Sequence, residues 1–161
     1  MVIDAIDKAA GLSPDDALFR ARRFRPEFVQ GAEECRISVL HPAHDQGLAP
    51  ILRVALARRM AALNGDAALV EQFDTQLAQL DATEQLLAVA QGETALKEPL
   101  ATIARHADLV TLTPKKAQAS DIALLAQAGL SNPQIVALSE LIAFVNFQTR
   151  VATGLRLMRS A

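Results

Sequence analysis

Residues 131–158 read SNPQIVALSELIAFVNFQTRVATGLRLM. The pattern predicts one unbroken helix of more than about seven turns at 3.6 residues per turn. Ser131 and Gln134 have capping-box spacing, and Pro133 falls in the first turn, where its missing N–H is no loss. From Leu141 to Phe147 the chain is apolar on nearly every side of a helix, a pattern that belongs inside a bundle or an oligomer. Ser139, Asn146, Arg150 and Thr153 follow one another at offsets of seven, eleven and fourteen residues from the first, which stacks them along one face as a thin polar line. An arginine on a central helix cannot shed its charge. Its guanidinium is expected to be at least partly buried and to need a partner from another helix, another subunit or a bound anion such as a small carboxylate. Asn146 and Arg150 are therefore the candidate binding residues.

The remaining composition supports an all-α fold. The 161 residues contain no Trp or Tyr, 51% are hydrophobic, and mean hydropathy is +0.19. No stretch alternates β-branched or aromatic residues, as strands do. The length suits a single domain, residues 1–161, with a substantial core. A net charge of −2 argues against nucleic acid as a partner. No uninterrupted apolar run reaches the ~18 residues expected of a membrane span, and the start, MVIDAIDKAAG, does not read as a secretory signal. One cysteine, Cys35, precludes an intrachain disulfide and fits a reducing, cytoplasmic setting.

Taken in order, the chain predicts about eight helical segments. A short one ends at Gly11, and Ser13-Pro14-Asp15-Asp16 restarts the next, with Ser13 as its cap. The arginines at 20, 22, 23 and 25 read as a solvated or ion-paired face. Pro26 opens a helix to Leu40 that carries Cys35, expected to be buried or inert because Glu33 and Glu34 disfavour a thiolate. Residues 41–47, HPAHDQG, form the clearest loop. His44 and Asp45 are its weak catalytic candidates, but Pro42 breaks helical spacing and no further ligands follow, so no metal site is expected. Leu48–Leu63 is a strong helix ended by Asn64-Gly65, with Leu52, Leu56 and Leu63 on one face and Arg53, Arg58 and Arg59 elsewhere. Asp66, Asp81, Glu98-Pro99 and Ser120-Asp121 mark later helix starts, and Ala128-Gly129-Leu130 reads as a Schellman stop.

The string DIALLAQAGLSNPQIVALSELIAFVNFQTRVATGL, residues 121–155, resembles the C-terminal part of the alkylhydroperoxidase D-like and peroxidase-related proteins of the carboxymuconolactone decarboxylase superfamily. The resemblance lies in the AGLS turn, the IVALSELIAFVNF run, and Arg150-Val151-Ala152 before Gly154-Leu155. It extends loosely, by helix pattern, over residues 48–161. Residues 1–47 lie outside it. It implies a compact helical bundle and assemblies from dimers to hexamers.

Peroxidase members of that superfamily carry a glutamate and a C-x-x-C-x-x-x-H motif at a helix start. Placing that motif after Asn64-Gly65 sets Asp66 and Leu69 at the cysteines, Phe73 at the histidine and Val54 at the glutamate, and none matches. Dithiol chemistry needs a low-pKa thiolate and a resolving thiol within reach, which a single cysteine flanked by acids does not supply. Three readings stay open. The first is a non-peroxidase oligomeric binding or accessory protein without a cofactor. The second is a cofactor-free enzyme of the decarboxylase type, with lyase, isomerase or hydrolase-like activity using His44, Asp45, Asn146 or Arg150. The third is a residual peroxidase-related activity on Cys35.

Overall fold

Helices α4 (Pro50–Leu63) and α9 (Asn132–Ser160) pack against each other at the centre of the fold. The computed structural model describes residues 2–160, all helix and connecting turns. Before α4 come α1 (Ala5–Ala10), α2 (Ala17–Arg22) and α3 (Pro26–Leu40); α1, α2 and α3 all lie against α9. After it, α5 (Ala67–Gln79) and α6 (Glu84–Gln91) pack on α4, and α7 (Leu100–Leu112) spans α4 and α9. A 3₁₀ turn (Pro114–Lys116) leads to α8 (Ala119–Gln127), which returns against α7 and α9. The all-α expectation holds throughout the described residues.

The entry into α9 is built as its sequence dictates. Gly129 takes φ 100°, its N–H donates to Ala126 O at 3.0 Å, and Leu130 N–H donates to Leu125 O at 3.1 Å, which is the Schellman pair. Ser131 N–H then donates to Gln134 Oε1 at 2.8 Å and Gln134 N–H to Ser131 Oγ at 3.4 Å, closing the capping box. Three other starts differ from expectation. Asp16 turns its carboxylate back onto Ser13 N–H at 2.7 Å, so residues 13–16 form a turn and α2 begins at Ala17. Asp81 is left-handed at φ 51°, and Thr83 caps α6 instead. Gln118 and Asp121, not Ser120, form the capping box of α8.

Helix α4 buries two of the three arginines that lie off its leucine face. Apolar residues surround this helix, so Arg53 and Arg59 are buried along with Val54, Leu56 and Met60. Arg59 makes a two-pronged pair with Asp108 of α7, 2.7 Å on each side, and donates to the carbonyls of Val89 and Glu93 at the end of α6 and beyond. Arg53 has no carboxylate in contact. It donates to the carbonyls of Val39, Asp45 and Leu48 at 2.9, 2.9 and 2.7 Å, and so holds the 41–48 loop against α4. Leu63, expected on the inner face, is partly exposed.

Helix α9 is buried along most of its circumference, by Leu138, Leu141, Ile142, Val145, Ala152 and others. By length and composition it could cross a membrane, yet 61% of its apolar 18-residue window is buried within the bundle, as in the core helix of a globular fold. One narrow stripe faces outward. Ala143, Phe147 and Arg150 lie on it, which corrects the expectation of a buried Arg150 guanidinium. The reason is angular: Arg150 is one turn beyond Asn146 but displaced by about 40° around the helix, enough to pass the edge of the buried face.

Arg59→Met strands the Asp108 carboxylate and two carbonyls. With Asp108 27% exposed, part of that loss is relieved by water, and a destabilisation of about 2–3 kcal/mol is expected in denaturant melts. A change under about 0.5 kcal/mol contradicts a structural role for this arginine.

Candidate functional site

A large, mostly apolar hollow runs between α3 and α9. Pro26 starts α3, and from there Phe28, Gly31, Ala32, Cys35, Ser38 and Val39 recur at helical spacing along one side. Helix α9 supplies the other side through Glu140, Ala143, Phe144 and Phe147. Together they enclose a groove of about 740 Å³, within the size range of ligand and peptide clefts. Phe144 and Phe147 rings lie 6.1 Å apart between centroids, while Phe28 and Phe147 are 62% and 46% exposed. Arg25 stacks over the Phe28 ring at 4.4 Å and is itself paired with Glu27 at 2.8 Å.

Cys35 opens into this groove and is exposed, not buried as one form of the sequence reading had it. Its low reactivity has a different origin. Partial burial pushes the thiol pKa up, and the Glu140 carboxylate across the groove pushes it further in the same direction. Glu33, one of the sequence neighbours expected to act on it, is engaged by Arg36 at 2.7 Å.

The positions aligned with the peroxidatic motif are occupied by structure. Asp66 caps α5, accepting from Leu69 N–H at 3.1 Å, and pairs with Arg156 of α9 at 2.7 Å. Leu69, Phe73 and Val54 are core residues with essentially no exposure. His44 is exposed, and Asp45 spends its Oδ1 on Gly47 N–H at 2.9 Å and its carbonyl on Arg53. Asp45 shapes the loop, and neither residue lines the groove. Among the described residues no cluster of three His, Cys, Asp or Glu side chains is gathered as a metal ion needs.

Of the polar line on α9 only Asn146 is buried, at 6% exposure. Its Oδ1 accepts from Asn64 Nδ2 at 3.1 Å, and its Nδ2 donates to Thr111 Oγ1 at 3.2 Å and to Ile142 O at 2.9 Å. Its amide is satisfied by α4's end, α7 and its own helix. Ser139 bonds its own helix at Ile135 O, and Thr153 accepts from Arg156. Gln148 and Thr149 are buried polar residues that the line did not include. Gln148 faces a smaller, polar hollow of about 310 Å³ bordered by Asp4, Lys8, Glu33 and Arg36, and its Oε1 lacks a protein donor.

The fold and this groove define an all-α bundle with an open, largely apolar channel beside its longest helix. That fold is shared with an uncharacterized peroxidase-related protein from Silicibacter sp. TM1040. The two structures agree with a TM-score of 0.71 at 15% sequence identity, over 94% of this chain and 79% of the other. The shared fold thus covers more of the chain than residues 48–161 alone. No family model and no curated protein matches the sequence.

His106 is a buried imidazole that the apolar spacing of Ile103 and Ala107 could have flagged. Burial holds its pKa below the ordinary 6.5, Asp121 opposes that, and Arg105 adds to it; its Nδ1 has no partner. The unfolded chain therefore binds this proton more readily than the folded one. Its contribution to stability is intact above about pH 6.5 and declines as pH falls from there toward the lower folded value. His106→Leu should flatten the dependence of melting temperature on pH between about 7 and 5. An unchanged slope in the variant contradicts the assignment.

Proposed function

We propose that this chain is a non-peroxidase, oligomeric binding or accessory protein of the alkylhydroperoxidase D-like, carboxymuconolactone decarboxylase-related class, and that a second copy of the chain occupies the α3–α9 groove. The observation that carries the reading is the groove itself: a large, mostly apolar channel in which Cys35 is an isolated thiol with a raised pKa beside the Glu140 carboxylate. Peroxide reduction by thiols needs a thiolate, a resolving partner and a base, and Cys35 faces a carboxylate instead. The packed Leu69, Phe73 and Val54 leave no room for a dithiol site at the start of α5.

The lyase or isomerase alternative has less support, because His44 and Asp45 lie away from the groove, Asp45 holding its own loop, and Asn146 is satisfied internally. An anion site at Arg150 loses its premise of burial. A lone exposed thiol accords with a reducing, cytoplasmic setting.

The test pairs two measurements on purified protein. Given an alkyl hydroperoxide and a dithiol reductant, the protein should show turnover no greater than buffer, unchanged in Cys35→Ser. Light scattering at micromolar concentration should give a mass at least twice the 17.2 kDa of the chain. Turnover abolished by Cys35→Ser contradicts the first half, and a persistent monomer contradicts the second.

A further inference from the structure

The exposed stripe of α9 has the spacing of a helix-pairing seam. Val136, Glu140, Ala143, Phe147, Arg150 and Gly154 are separated alternately by four and three residues, and all six are exposed. That is the a/d alternation of a helix that packs against one partner helix. Val136 and Phe147 are 56% and 46% exposed, large apolar side chains for a seam facing water.

Size and charge along the seam are ordered about its midpoint. When two copies of one helix pack antiparallel about a twofold axis, residues equally distant from the axis on either side face each other, in a-to-d pairs. An axis beside Val145 sets Ala143 against Phe147, Glu140 against Arg150, and Val136 against Gly154. Each layer is then a small residue against a large one, or an acid against a base. Moving the axis to the preceding a-to-d register sets Glu140 against Ala143, and moving it to the following one sets Glu140 against Leu157, with Phe147 against Arg150. Parallel pairing sets Glu140 on Glu140 and Arg150 on Arg150. Only the first register matches charge and volume together, and the others carry the mismatches that exclude wrong pairings.

Two features that the isolated chain leaves unexplained agree with this register. A Cβ on Gly154 would meet nothing within 4 Å, so internal packing does not require a glycine there, whereas an opposing Val136 does. Glu140 and Arg150 have no ion-pair partner among the described residues, although most arginines of the chain are paired or hydrogen-bonded within it. In the pairing, Phe147 of the second copy enters the α3–α9 groove above Ala143, beside Phe28 and Cys35.

We infer that α9 forms an antiparallel, twofold seam with α9 of a second copy, centred beside Val145 and specified by two symmetric Glu140–Arg150 pairs. The inference rests on the oligomeric reading above and adds its partner, direction and register.

Charge exchange tests it on the full chain. Glu140→Lys and Arg150→Glu each leave like charges facing twice per dimer. Each variant alone should dissociate at least tenfold more readily than wild type in analytical ultracentrifugation. The double variant E140K/R150E should recover assembly, and a mixture of the two single variants should form mixed dimers. Far-UV circular dichroism spectra, expected unchanged because both positions are exposed, show that the single variants are folded; melting temperatures are compared at dilutions where wild type is itself dissociated. Phe147→Ala, which removes apolar contact without altering charge, should also weaken assembly but should not be rescued by the double exchange. Single variants that stay as tightly assembled as wild type overturn the seam while leaving the oligomer standing. Dissociation without rescue in the double variant overturns the register. A wild-type monomer at every concentration overturns the seam and the oligomeric reading together.

Discussion

Asn146 meets Asn64 and Thr111 inside the bundle, and the rest of α9 is oriented by that meeting. A buried amide left unpaired costs about 1–3 kcal/mol, so α9 has one favoured rotation about its axis. With Asn146 inward, its neighbour Phe147 turns about 100° away, to the edge of the bundle, and Ala143 and Arg150 turn with it. The same rotation puts Phe144 against α3 and makes the groove. The Asn146 hydrogen bonds and the burial of Leu138, Leu141, Ile142 and Val145 agree on one rotation, which sets both what α9 buries and what it presents.

The buried arginines of α4 complement this arrangement. Arg59 joins α4 to α7 and to the end of α6, and Arg53 holds the loop that follows α3. Arg156 ties the end of α9 to Asp66 and to the Ala9 carbonyl of α1. At the N-terminal corner Arg22 and Arg23 converge on the buried Asp7, so the arginines of α2 are structural there. The interior is consequently packed around these pairs, with Gln148 Oε1 and His106 Nδ1 among the few buried polar atoms left without a partner.

Much of this fold was legible in the sequence because helix ends are chemically local. Ser131 with Gln134, Gly129 with Leu130, and Asp66 were readable from a few neighbouring residues each. Capping competition was not: Asp16, Thr83 and Gln118 won over nearer-looking candidates through backbone geometry that spacing does not reveal. Burial of charge was missed for a related reason. Spacing sets Arg53 and Arg59 off the face of Leu52, Leu56 and Leu63, but it does not show that neighbouring helices cover those sides of α4 as well. For Arg150 the error ran the other way, since an apolar run of seven residues hid the narrow exposed stripe passing through it. His44 and Asp45 stand out for their chemistry, but Asp45 holds a loop in shape and His44 is exposed away from the groove.

Cys35 reports on the groove without any substitution. A neutral maleimide would be added to wild-type protein at fixed pH 7, over protein concentrations spanning the assembly transition, and the rate of Cys35 modification followed by mass spectrometry. The account predicts slow modification throughout, as expected of a thiol whose pKa is raised, with the rate constant falling further as concentration brings a second copy over the groove. A rate constant independent of concentration, or one as fast as that of a low-pKa thiolate, would contradict it.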